Sequence, residues 1–348
     1  MKKLLTLAFA FVFMTGVAFA QSNDASTTQE VDDSEITINQ VGSQNEADVS
    51  QILGNDNMLV NVEQEGSSND ASVTQQYGQW HEAQVLQVGS GNELTLLQDN
   101  TSTLANVTQE GDNNEANIYQ RNYSFAFGTY SSRVDLLQDG NGNDADIDMD
   151  GFRNSSDVSQ IGDENEAVLT QDGDDNSATI KQGNSAYVSS GNEGDIRQEG
   201  SGNDASFVLT RGDDNDVDIS QVGDNNYSEY SVKYGDANDI DVTVNGTSNR
   251  TRLSIDAGWG SRSSGNMITV EKYGDTNYLT GSIEGDDNAV NVFQDGSNNR
   301  VGTSWYTKDG IAITGDGNTV DVMQTGDSHS AMMTQAGDTN TATITQSN

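Results

Sequence analysis

The 348-residue chain carries 55 acidic residues against 15 basic ones, a formal net charge of −40, and contains neither cysteine nor proline. So acidic a surface has little with which to neutralise phosphates, which argues against nucleic acid and anionic lipid as partners. The chain must also hold together without disulfides, and the missing prolines suit a continuous sheet, where each would remove a ladder hydrogen bond.

The first element is MKKLLTLAFAFVFMTGVAFA, residues 1–20. Lys2 and Lys3 form a positive start, Leu4 to Phe13 an apolar stretch, and Ala18, Phe19 and Ala20 a small-residue cleavage pattern. This reads as a secretory signal peptide, too short for a membrane anchor and with no second apolar run after it. The mature chain is expected to begin at Gln21 and to insert in no membrane. From Gln21 to Gln120 it contains no Lys or Arg at all.

From residue 23 onward one pattern recurs. QVGSQNEADVSQ at 40–51 returns as QEGSSNDASVTQ at 64–75 and QEGDNNEANIYQ at 109–120, then as QIGDENEAVLTQ at 160–171, QDGDDNSATIKQ at 171–182 and QAGDTNTATITQ at 335–346. With Asn as anchor the unit is N-x-A-x-[V/I/L]-x-Q-x-G-x-x, about eleven residues, and 26 units are counted across residues 21–348. Anchors include Asn23, Ser34, Asn45, Asn57, Asn69, His81, Asn92, Thr103 and Asn114, resuming at Asn143; units such as 51–64 and 203–215 carry one extra residue. Four irregular segments interrupt the series near 121–137, 183–190, 254–262 and 302–312. They hold many of the aromatics, including Trp259 and Trp305, and several of the rare basic residues. They are expected to bulge from the corners as loops, the sharper reading being a contact site.

Within a unit the Asn, Ala, Val and Gln positions are two apart, which is strand periodicity and places all four on one face. Glu, Asp, Ser and Thr fill the other face, and x-G-x-x supplies the turn. A strand of about seven residues and a turn of about four, repeated without helix, predicts an all-β solenoid of two-strand coils, about 22 residues each, with cross-β character. Coils stacked about 4.8 Å apart place like on like. The predicted ladder residues are Gln40, Asn45, Gln51, Gln64, Asn69, Gln75, Gln87, Asn92, Gln98, Gln109, Asn114, Gln120, Gln160, Asn165, Gln171, Asn176, Gln182, Gln335, Asn340 and Gln346. The predicted turn glycines are Gly42, Gly66, Gly78, Gly89, Gly111, Gly162, Gly173 and Gly337. Stacked carboxylates at that spacing repel by roughly 0.9 kcal/mol per pair in water, which slows stacking without forbidding it.

These units resemble the curlin repeat of bacterial curli-type amyloid subunits, which carries Gln-x-Gly-x-x-Asn-x-Ala with a closing Gln. The likeness spans residues 23–346 apart from the insertions, and maps the family's ladder onto Gln40, Gly42, Asn45, Gln51, Gln64, Gly66, Asn69 and Gln75. It implies a non-enzymatic, cofactor-free subunit whose main partner is itself. Such a subunit would pass through the periplasm and outer membrane by curli-type export and nucleation machinery. It would polymerise outside the cell into the amyloid fibres of a biofilm matrix, serving adhesion and surface colonisation.

Catalysis finds little support, since His81 and His329 both occupy the anchor slot and Ser has no nucleophile motif around it. The competing reading is a monomeric calcium-binding solenoid adhesin. It rests on three GDDN turns, which present Asp174 and Asp175, Asp213 and Asp214, and Asp286 and Asp287 beside glycine.

Overall fold

The computed structural model describes residues 22–54, 57–122, 132–186, 188–256, 262–302 and 310–348. The expected signal peptide, Trp259 and Trp305 lie outside them. Every paired strand is parallel, and the strands fall into two sheets that alternate along the chain, fourteen in sheet A and fifteen in sheet B. The chain leaves a strand of one sheet, turns, forms a strand of the other and returns one level higher, so about 13 coils stack into a β-solenoid. In sheet B, Arg300–Val301 and Ile311–Thr314 share one level, as do Ser330–Ala331 and Met333–Ala336.

The register follows the repeat. Glu46–Ile52 pairs with Asp70–Gln76 so that Ala47 lies over Ala71, Val49 over Val73 and Gln51 over Gln75. Alternate residues point inward, and the inner ones are fully buried between the sheets. The core is narrow, and it changes character along the axis. In the first half of sheet B the Ala and Val slots hold small or aliphatic residues, whereas Phe207 and Tyr230 later fill the Val slot, both at 0% exposure. Phe207 fits because sheet A offers Gly194, whose absent Cβ would stand 3.2 Å from Phe207 Cδ1.

Turns are built on two residues with positive φ. The glycine after the closing Gln is one; at Gly66 (φ 121°) an added Cβ would lie 2.0 Å from the carbonyl oxygen of Gly89 in the next coil. The other immediately precedes the anchor, as at Gln44 (φ 59°), Ser68 (φ 58°), Asn113 (φ 56°) and Glu164 (φ 57°). The spacing argument anticipated only the glycine. Predicted turn glycines Gly42, Gly66, Gly89, Gly111, Gly162, Gly173 and Gly337 all have positive φ. Gly78 differs: it is needed because an added Cβ would collide with the Asn100 carbonyl.

The structure revises the repeat assignment in two places, moving one anchor and adding one repeat. The extra residue of the unit at 51–64 sits in the turn, so Met58, fully buried, takes the anchor slot; Asn57, at φ 66°, belongs to the turn. And Ser132–Asp139 is a full repeat within the segment assigned to an insertion: it pairs with Thr103–Asp112 below and Ser155–Ile161 above. Strands likewise enter the other irregular segments at Ile255 and Ile311.

Candidate self-assembly ladders

The inward amides sort into four axial columns, an Asn and a Gln column in each sheet. The Asn column of sheet A is continuous from Asn23 to Asn340. Asn69 Nδ2 donates to Asn45 Oδ1 (3.2 Å), Asn92 to Asn69 (3.1 Å), Asn114 to Asn92 (3.1 Å) and Asn165 to Asn143 (3.0 Å). At the end of the column Asn340 Nδ2 donates to Asn318 Oδ1 (3.1 Å). The same Oδ1 also accepts the backbone N–H of the next anchor, and the second Nδ2 hydrogen reaches a turn carbonyl of the coil above, as from Asn69 to Gly89 (3.1 Å). One side chain thus satisfies the turn of its own coil and both neighbours. Asn176 belongs to sheet B, where its Oδ1 accepts the N–H of Asn203 at 3.0 Å.

The Gln columns run with opposite polarity. In sheet B, Gln40 Nε2 donates upward to Gln64 Oε1, followed by Gln87, Gln109, Gln138 and Gln160, at 2.7–3.0 Å. In sheet A, Gln29, Gln51, Gln75, Gln98 and Gln120 form one run; Gln171, Gln198 and Gln221 form a second; Gln294, Gln324 and Gln346 form a third. Each Gln also donates across the core to a backbone carbonyl of the facing sheet, as from Gln51 to Glu35 (3.2 Å) and from Gln64 to Glu46 (2.8 Å). The closing Gln therefore staples the two sheets together.

The columns break where the sequence departs from Gln. Met149, Val244 and Lys272 interrupt sheet A, and beyond Gln182 the sheet-B slot becomes Leu209, Val232, Ile255, Ile283 and Ile313 before returning to Gln335. The interruptions leave a trace. The buried Oε1 atoms of Gln171, Gln294 and Gln335, each directly above an interruption, have no hydrogen-bond donor; Gln182 Oε1 also has none, although Gln160 lies beneath it, so the sheet-B ladder ends at Gln160. Gln138, in the overlooked repeat, completes the sheet-B run; its signal was the V-x-L-x-Q-x-G spacing at 134–140.

His81 fills an anchor slot of sheet B, its Nδ1 2.8 Å from Thr103 Oγ1, and burial lowers its pKa to about 4. His329 also fills an anchor slot, its N–H donating to Asn299 Oδ1. The GDDN turns are separated: Asp174 lies on one edge of the solenoid, Asp213 and Asp286 on the other. The first Asp of each holds a backbone amide of the coil below, from Phe152, Ser190 and Ser264 respectively (2.8–2.9 Å). Asp175, Asp214 and Asp287 are the positive-φ residues before the anchors. Among the described residues no three His, Asp or Glu side chains converge as a metal site would require. Nor is any helix there long and apolar enough to cross a membrane.

No curated protein matches the chain in sequence. The family model for the curlin associated repeat matches it five times, over residues 32–60, 131–162, 153–183, 212–243 and 315–347. The second match begins just before Ser132 and so includes the repeat that spacing alone had missed. Over the matched residues the chain is built of curlin repeats, and such repeats wound into a two-sheet solenoid fit a curli-type structural protein.

Proposed function

We propose that the protein is a secreted subunit that adds end to end into extracellular amyloid fibres of a biofilm matrix, with roles in adhesion and surface colonisation. The observation that carries this reading is the pair of opposed amide ladders. In the side-chain ladders of sheet A each Asn-to-Asn bond is donated toward the N-terminal end and each Gln-to-Gln bond toward the C-terminal end. The end at Thr341–Ser347 therefore offers an Asn340 acceptor and a Gln346 donor, while the end at Asp24–Gln29 offers the matching Asn23 donor and Gln29 acceptor. Both terminal strands expose faces that are buried everywhere between them, and each has one strand partner. Unpaired strand edges with repeating side chains recruit further strands. Curli-type export through the outer membrane is the route that the curlin repeats suggest, and no enzymatic activity or cofactor belongs to the proposal.

Purified mature chain is expected to grow fibres after a lag that preformed seeds abolish, and to diffract at the two cross-β spacings. Growth should persist in chelator, since the GDDN turns already commit a carboxylate oxygen to a backbone amide. Chains that stay monomeric at high concentration in the presence of seeds would refute the proposal. Saturable calcium binding that drives folding would favour the adhesin instead.

A further inference from the structure

The two outer faces of the solenoid differ in charge and composition. On sheet A the first outward position of each strand is acidic through ten consecutive levels, from Asp24 to Asp239, and all ten are exposed. The next outward position adds Asp195, Asp218 and Asp241 at three adjacent levels. On sheet B the equivalent first position reads Tyr227, Arg250, Tyr278 and Arg300 over four successive levels. The Arg300 guanidinium stacks 4.8 Å from the centre of the Tyr278 ring, and Arg250 and Arg300 are exposed. Arg300 Nε also donates to the Gly302 carbonyl at 2.6 Å, and stacking on an aromatic face leaves a guanidinium its full positive charge.

We propose that the Tyr227, Arg250, Tyr278 and Arg300 column docks on the acidic column of sheet A of a second copy of this chain, joining solenoids side by side. Within one molecule the columns lie on opposite faces, so neither can serve the other. Between molecules they are commensurate: both repeat at the coil spacing of about 4.8 Å. Arginine stands at every second level and a carboxylate at every level, so each guanidinium meets an acid whichever level it lands on. The acidic face has reason to accept cations. Burial and the charges of stacked neighbours push Glu193, Asp195 and Asp216 upward in pKa, and Asp218 to about 6. A face of one kind meeting a face of another does not close on itself, so the contact propagates into flat bundles.

The contact does not depend on axial growth, and the test separates the two. Fibre width is read in electron micrographs and growth by dye-binding elongation. If no fibres form, sedimentation velocity of the soluble mature chain reads lateral association instead. Wild-type bundles should thin to single solenoids in about 0.5 M salt, where the Debye length is a few ångströms. The charge-reversed variant R250E/R300E should elongate normally but lose lateral association by about tenfold or more. Mixing it with D216R/D239R chains should restore pairing. A control, R153E/K233E, makes the same change in net charge at the corners, where those residues pair with Asp175 and Asp256, and should bundle as wild type. Bundling of R250E/R300E alone at wild-type strength, or bundles indifferent to salt, would overturn the proposal. Equal loss in the corner control would show that net charge alone governs association.

Discussion

Lys272 shows what a single departure does inside a ladder. It stands fully buried between Val244 and Gln294 in the closing slot of sheet A, with Nζ donating to the Arg250 carbonyl at 2.5 Å. Burial pushes its pKa well below the usual lysine range. The unfolded chain therefore binds a proton that the fold disfavours, and stability rises with pH toward the ordinary lysine value. K272Q would return an amide donor beneath the donorless Gln294 Oε1. It is expected to stabilise the chain by about 1–3 kcal/mol, read as a higher guanidinium midpoint, and to flatten the profile above neutral pH. His81 works in the same direction at lower pH. Its folded pKa of about 4 lies below its ordinary value, so its contribution is complete above about pH 6.5 and is lost on acidification toward pH 4. That loss amounts to about 3 kcal/mol. H81N should remove this component, visible as the difference between the two pH–stability profiles.

At the scale of the strand, the closing Gln does two jobs, linking levels and stapling sheets. Gln51 accepts from Gln29, donates to Gln75 and donates to the Glu35 carbonyl, while Gln75 continues to Gln98 and the Leu59 carbonyl. Leucine fills the volume but strands several buried polar atoms. Q51L/Q75L should cost about 2–5 kcal/mol and slow seeded growth, whereas the outward S50L/T74L should stay within about 1 kcal/mol. Equal effects would contradict the facing seen here. The aliphatic run from Leu209 to Ile313 makes the second half of sheet B a different solution: burial replaces the Gln ladder while the Asn columns of both sheets continue beside it.

Over the whole molecule each coil contacts only its neighbours, so stability is close to a sum of like increments. Deleting residues 46–69, one full coil, joins Asn45 to Asp70 and lets Asp24–Gln29 pair directly with Asp70–Gln76. The shortened chain should fold, with a denaturant m-value lower by about one part in thirteen. The acidic face sets the overall response to pH. Asp70, Asp144, Asp148, Glu193, Asp195, Asp216 and Asp218 are all raised, by burial first and then by nearby carboxylates, against which Arg197 pulls at Asp195. At these carboxylates the fold binds protons more readily than the unfolded chain, so they add stability as pH falls through their raised folded values, about 6 for Asp218. Between pH 7 and about 5 the carboxylates oppose His81 and Lys272, so on acidification H81N should gain more stability, or lose less, than the wild type, read as guanidinium midpoints.

Local spacing determined the coil. Residues two apart share a strand face, and glycine after each closing Gln fixes where the strand turns, so all-β class, coil length and the inward facing of Asn, Ala, Val and Gln are properties of short stretches. Only stacking decided the rest. Met58 displaces Asn57 from the anchor slot because pairing with the levels on either side, not local motif, absorbs the extra residue into the turn. Ser132–Asp139 is a repeat because its neighbours above and below hold its register, although Ser replaces Asn at its head. The sorting of like residues into separate Asn and Gln columns, the placing of the sheet-A acidic column opposite the sheet-B Tyr–Arg column, and the orphaned acceptors above Met149 and Lys272 all depend on residues some 22 to 30 positions apart. Those neighbours exist only once the chain has wound, which is why no window of one repeat could reveal them.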